Sequence, residues 1–227
     1  MATKSEEKVH VVIEPPNFKF AKFTIVGTHP LVMARWSEKV KEDLRKVMEA
    51  GSVAKISSKG GRKPKDFGTW KSAAHVSTEG WYGIPCTALR AAMISACKVA
   101  GLEMTRAKLA VFVESAGFEL DGTALVKITK GEPYQFITPV RNATGVVDMR
   151  SRPRWNPGWE AEVVIQYDAD VLDGTSIANL LHRAGVQVGL LEGRPDSKKS
   201  TGQDWGRFRL SNEGGSDGVV STSKEEK

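Results

Sequence analysis

Apolar residues two apart mark several short stretches of this chain, and apolar residues three and four apart mark three others. Residues 9–14 (VHVVIE) are β-branched and read as a strand, ended by Pro15 and Pro16. Residues 18–26 (FKFAKFTIV) set Phe18 and Phe20 against Lys19 and then shift phase between Ala21 and Phe23. That shift predicts a strand with a β-bulge. Over residues 37–50, Val40, Leu44, Val47 and Met48 share one helical face, with Ser37 as cap and Gly51 as stop. A second helix starts at Pro85. Its stripe of Leu89, Ala92, Met93, Ala96, Cys97 and Ala100 reads as core, and Gly101 stops it.

Residues 75–82 and 107–114 read as strands. The turn Asp121-Gly122 folds residues 118–120 back onto 124–129 as a hairpin. Residues 136–140 and 160–167 are further strands. Ile177, Leu180 and Leu181 give the inner face of a third helix, 176–184, stopped by Gly185. Residues 205–210 close the pattern as a short apolar strand. Strands outnumber helices and hairpins are present, so the predicted class is α+β, a mainly antiparallel sheet with helices on one face. A length of 227 residues suits one domain, placed at 9–210, with tails 1–8 and 211–227 expected to be disordered.

Composition narrows the function. The chain is 40% hydrophobic and 26% charged, as in ordinary soluble domains. Net charge is +6, and the acidic C-terminal tail leaves the body more basic still. A basic body favours an anionic partner, most commonly nucleic acid. Two cysteines, Cys86 and Cys97, are too few for a disulfide scaffold and read as small buried residues in a reducing, cytoplasmic compartment. The N-terminus has no apolar core for a signal peptide, and no run of 18 apolar residues offers a membrane span.

Three basic stretches carry the candidate chemistry. Residues 52–71 hold Lys55, Lys59, Arg62, Lys63, Lys65 and Lys71 against Asp66 alone, with Phe67 and Trp70 able to stack; they read as a flexible basic insertion. Residues 141–159 hold Arg141, Arg150, Arg152 and Arg154 with Trp155 and Trp159. Guanidinium forks suit phosphates, and indole rings offer faces to bases. Residues 189–210 hold Gly189, Gly193, Gly202 and Gly206 around Arg194, Lys198 and Lys199, with Arg207 beyond. Backbone amides in glycine-rich turns can form an anion-binding concavity.

No Cys/His cluster has zinc spacing, and neither a phosphate-binding G-K-[ST] loop nor a G-x-S-x-G or dinucleotide fingerprint occurs, so no metal or cofactor is expected. Asp168, Asp170 and Asp173 read as a helix start. Of His10, His29, His75 and His182, His29 in the loop before Pro30 is the best general acid/base candidate.

Several of these stretches, in their order, resemble the RAMP superfamily of CRISPR-associated proteins, and within it the RNA-binding backbone subunits of surveillance complexes. Gly83-Ile84-Pro85-Cys86-Thr87-Ala88-Leu89-Arg90 is similar to the family's small-residue turn into a helix. Trp205-Gly206-Arg207-Phe208 is similar to the end of its glycine-rich loop, with Asp204 where a glycine is usual. Helix 176–184 and the glycines after it match the approach to that loop.

The resemblance implies a modified RNA-recognition-motif (ferredoxin-like) domain. It implies that Arg194, Lys198, Lys199 and Arg207 face a nucleic-acid backbone, and that residues 52–71 occupy a thumb or palm position. It also implies copies lined up along a strand. The chain is short for such a subunit, as a stand-alone or phage-borne bacterial relative would be. The expectation is a non-enzymatic single-stranded nucleic-acid-binding protein, RNA before DNA, that partners other copies of itself and no membrane. The alternatives are a metal-independent endoribonuclease and a phage protein that coats or anneals single-stranded DNA.

Overall fold

The computed structural model describes residues 14–36, 38–49, 51, 67–141, 147–197 and 202–211. It is α+β, with two antiparallel sheets and a few helices. The main sheet runs β10(Phe208–Leu210), β1(Phe18–Gly27), β9(Glu160–Asp168), β6(Ala124–Lys130), β3(Gly83–Pro85). Two short strands join it: β4(Val111–Val113) pairs with β9, and β5(Gly117–Phe118) with β6.

Period-two patterning explains the sheet. On β9, Ala161, Val163, Ile165 and Tyr167 are buried, while Glu160, Glu162 and Gln166 point to the other side. On β1, Ala21, Ile25 and Gly27 share the buried face. Phe18, Phe20, Lys22 and Thr24 alternate with them. Contrary to expectation, β1 carries no bulge against β9; the register runs unbroken from Phe18↔Asp168 to Val26↔Glu160. The apparent phase change was Phe18 and Phe20 taking the outer face. Phe18 meets Phe112 edge-on there, at 5.9 Å between centroids.

Helices α2(Cys86–Ala100) and α4(Gly174–Arg183) cover the inner face. Leu89, Met93 and Cys97 of α2 are fully buried with Ile177 and Leu181 of α4, and Ala92 and Ala96 are small enough to allow close approach. Each fully buried Leu, Ile or Met contributes about 1.5–3 kcal/mol. Gly101 ends α2 in the left-handed conformation at φ 72°. Asp173 caps α4 by accepting from Ser176 N at 2.6 Å, and this holds its carboxyl below the usual range. Ala100, the last residue of α2, is exposed rather than core.

Other expectations changed. Residues 104–110 form a helix, α3(Met104–Ala110), and only β4 is strand. Apart from Thr105, the stretch MTRAKLA is built of strong helix formers, and the strand signal is strongest in the next three residues, VFV. Residues 75–82 give only an isolated bridge, Val76↔Tyr82. Helix α1(Glu38–Glu49) forms, but its apolar face does not enter the core: Val40, Leu44, Val47 and Met48 are all exposed. The strand expected at 9–14 lies almost entirely outside the described residues. The hairpin at Asp121-Gly122 forms as read, with Phe118↔Ala124 paired and Gly122 at φ 84°.

The second sheet is what positions the site. Strands β7(Tyr134–Arg141) and β8(Val147–Trp155) form a hairpin in the chain between β6 and β9, and β2(Leu31–Val32) pairs with β8. Trp155 anchors it in the core, edge-on to Tyr82 at 5.5 Å. Among the described residues no helix is long and apolar enough to cross a membrane.

Candidate nucleic-acid interface

Because β8 is a strand, Arg150, Arg152 and Arg154 project from one face at i, i+2 and i+4. They stand opposite Thr138, Phe136 and Tyr134 of β7. Residues 189–197 and 202–206 of the glycine-rich segment include Glu192 and Trp205, which lie against this face. Arg152 Nε donates to Glu192 Oε2 at 3.0 Å. The Arg154 guanidinium stacks 4.5 Å from the Phe136 ring centroid and 5.8 Å from that of Trp205. The two rings meet edge-on at 5.6 Å. Two basic stretches far apart in sequence therefore share one surface.

Gly189, Gly193 and Gly206 of the segment serve close packing, whereas Gly202 has open space around it. Gly206 has φ +70°, and a Cβ there would sit 2.0 Å from the Leu190 carbonyl oxygen. A Cβ on Gly193 would strike the Trp205 ring at 2.4 Å. Many amides are spent internally. Leu190 N donates to Gly206 O, Glu192 N to Val32 O, Trp205 N to Gly193 O, and Gly206 N to Pro30 O. The loop is thus a tied knot on β2 and β8, and these four amides are not offered to an anion. Leu191 sits at φ 61°, unusual for a non-glycine residue and a local strain. Asp196 accepts from Ser95 Oγ, which ties the segment to α2 as well.

On the other side of β8 lies a 3₁₀ turn, Gly68–Ala73. Ser151 Oγ donates to Phe67 O at 3.1 Å, and Gln135 Nε2 to the same oxygen at 2.8 Å. Between this turn, the start of α1 and β8 is a groove of about 520 Å³, lined by Arg35, Trp36, Phe67, Trp70, Arg150 and Arg152 among others. Trp36 is 58% exposed there. The last part of the expected flexible insertion is therefore ordered, because Phe67 O is bonded to the hairpin.

The remaining expected residues separate clearly. Lys55, Lys59, Arg62, Lys63, Lys65, Lys198 and Lys199 lie outside the described residues, and of Arg141 only the backbone is described. Trp155 is 1% exposed, so its ring offers no face to a base; it is core. Arg194 donates Nη1 to Leu191 O at 3.1 Å. Arg207 donates Nε to Val186 O at 2.9 Å. Both brace the loop. Phe136, Glu192 and the Arg35–Trp36 pair were missed. The alternate spacing of the three arginines was the available signal for the row; nothing local marked its partners.

His29 is also at this loop. Its Nε2 lies 2.9 Å from Asp204 Oδ2, and its Nδ1 lies 3.0 Å from Thr28 Oγ1. Arg207 Nη1 is 3.7 Å from the same Asp204 oxygen. Asp204 is the residue that departs from the glycine-rich pattern, and it pairs with the one histidine singled out for acid/base chemistry. Trp159 Nε1 donates to His29 O at 2.9 Å and fixes the backbone.

No protein-family model matches the chain, and no curated protein matches it significantly.

Proposed function

We propose that this protein binds single-stranded nucleic acid, RNA before DNA, along the β7–β8 hairpin and the adjoining groove, with little sequence preference. The observation that carries the reading is the one-faced row Arg150, Arg152 and Arg154, of which Arg150 and Arg152 also line the groove that holds exposed Trp36 and half-exposed Phe67 and Trp70. Guanidinium groups take phosphates, and rings take bases of any identity. The fold is compatible with a ferredoxin-like domain of the RAMP type. Supporting this are the strand order β10-β1-β9-β6, the two helices on one face, and the hairpin inserted in the chain between β6 and β9. Copies of the protein lined up along one strand are part of the proposal.

The test is fluorescence anisotropy with labelled single-stranded RNA and DNA of mixed sequence from about 50 to 200 mM salt. The expected result is binding whose log affinity falls linearly with log salt, tighter for RNA, with mass in solution rising as length increases. Absence of binding to either strand at the lowest salt overturns the reading.

One observation favours a second reading, metal-independent RNA cleavage. His29 is held by Asp204 through Nε2, Arg207 lies against the same carboxylate, and Thr28 Oγ1 rests on Nδ1 where a substrate hydroxyl would have to replace it for acid/base chemistry on a phosphodiester. End-labelled RNA incubated in chelator separates the two. Cleavage lost in His29→Ala supports a nuclease, and intact RNA removes it.

A further inference from the structure

The arginines around the loop differ in what they are bonded to. Arg152 is paired with Glu192, while Arg194 and Arg207 donate to backbone carbonyls. Arg154 is different. Among the described residues no carboxylate or carbonyl accepts from it; it lies against the faces of Phe136 and Trp205. Its Nε is enclosed without an acceptor, whereas its Nη atoms are not among the enclosed ones. The group is only partly exposed, and it carries a positive charge. A half-buried cation lacking a counter-charge is unfavourable by itself and calls for an explanation.

We propose that Arg154 is the phosphate-gripping centre of this surface. It rests on the nucleic-acid reading above and names the residue that grips. The Phe136 and Trp205 rings hold the planar fork still, so little side-chain freedom is lost on binding. The outer Nη edge donates to two oxygens of one phosphodiester, which supplies the missing negative charge without moving the rings. Arg152, Arg194 and Arg207 build the platform and do not grip in the resting state. Trp205 reaches Arg154 only because Gly193 has no Cβ, so the loop glycine serves the grip indirectly.

The experiment compares wild type, Arg154→Gln, Arg154→Lys and Arg194→Gln for binding a 5′-labelled mixed-sequence RNA 20-mer across the salt range, with thermal melts alongside. Arg154→Gln is expected to weaken binding about tenfold and to reduce the salt slope by about one. Arg154→Lys keeps the slope but binds less tightly, because an ammonium lacks the fork. Arg194→Gln changes the melt and leaves the slope alone. The slope is the readout that a purely structural role does not move.

A second measurement does not depend on a folded variant. In wild type with ¹⁵N-labelled arginine, the Arg154 Nε–H signal shifts when RNA is added. An unchanged slope in Arg154→Gln, or an Nε–H signal that stays put while the protein binds RNA, overturns the inference and leaves the nucleic-acid reading standing. Wild type that binds no strand overturns that reading itself. Inorganic phosphate that shifts the Nε–H signal as fully as RNA does, at equal phosphate concentration, also overturns the assignment to a strand.

Discussion

Glu192 Oε2 lies 3.0 Å from Arg152 Nε, and this pair joins the glycine-rich segment to the hairpin. On the proposed reading the carboxylate occupies the guanidinium that a phosphate oxygen would take, and would compete with a nucleic-acid strand for Arg152. Glu192→Gln is expected to bind single-stranded RNA several-fold more tightly and to steepen the salt slope by about one. The same change should lower stability by about 1 kcal/mol or less, as for a partly exposed pair. Anisotropy and urea melts check both signs. Weaker binding would mean that the pair shapes the site and does not mask it.

Gly206 and Gly101 are both left-handed, at φ 70° and 72°, but only Gly206 is crowded. Gly101→Ala meets nothing within 4 Å and should cost about 1 kcal/mol. Gly206→Ala drives a Cβ into the Leu190 carbonyl and should cost about 3 kcal/mol or more, with loss of the Trp205 placement. Denaturant midpoints of the two variants, measured side by side, give the difference.

Stability should fall on mild acidification. The Glu119 side chain is 3% exposed, accepting from Arg35 Nε at 2.7 Å and contacting His75 Nδ1. Burial pushes the His75 imidazole below its ordinary value, against the opposing pull of Glu119. The unfolded chain then binds a proton that the folded chain refuses, so folding weakens as pH drops below about 6.5. Asp121 is held low by Lys41 and Thr123, and its contribution disappears only at lower pH. Thermal midpoints from pH 8 to 5 should decline in wild type and stay flatter in His75→Asn. Parallel curves would show that His75 is not the group responsible.

Both thiols should be silent in the folded protein. Cys86 is 6% exposed and Cys97 fully buried, and burial pushes the Cys86 thiol up to about 11. About one Cys86 in a thousand is then ionised at pH 8. A thiol-specific reagent at that pH should label neither until denaturant is added, when both react. Rapid labelling without denaturant would place the α2–sheet contact in doubt.

Much of the fold was legible because it is local. Alternation on β9 and the stripe Leu89-Met93-Cys97 follow from period alone, and Gly101, Asp173 and Gly122 mark ends through their own backbone chemistry. Where two signals competed, the reading failed: AKLAVFV mixes helix formers with a three-residue strand, and Phe18 and Phe20 mimicked a bulge. Helix α1 shows the limit of periodicity. Its apolar face is regular, yet periodicity carries no information on whether anything covers it.

The α+β class, the net positive charge and the alternate spacing of Arg150, Arg152 and Arg154 are readable along the chain. Those depend on composition and on neighbours a few residues apart. That Trp155 is core, that Glu192 pairs with Arg152, that His29 meets Asp204, and that Phe136 and Trp205 hold Arg154 emerges from the folded chain alone. Each of these is a contact between segments far apart in the chain. Such contacts follow from how the hairpin and the glycine-rich segment pack, and a periodic pattern along one stretch does not encode the partner it will meet.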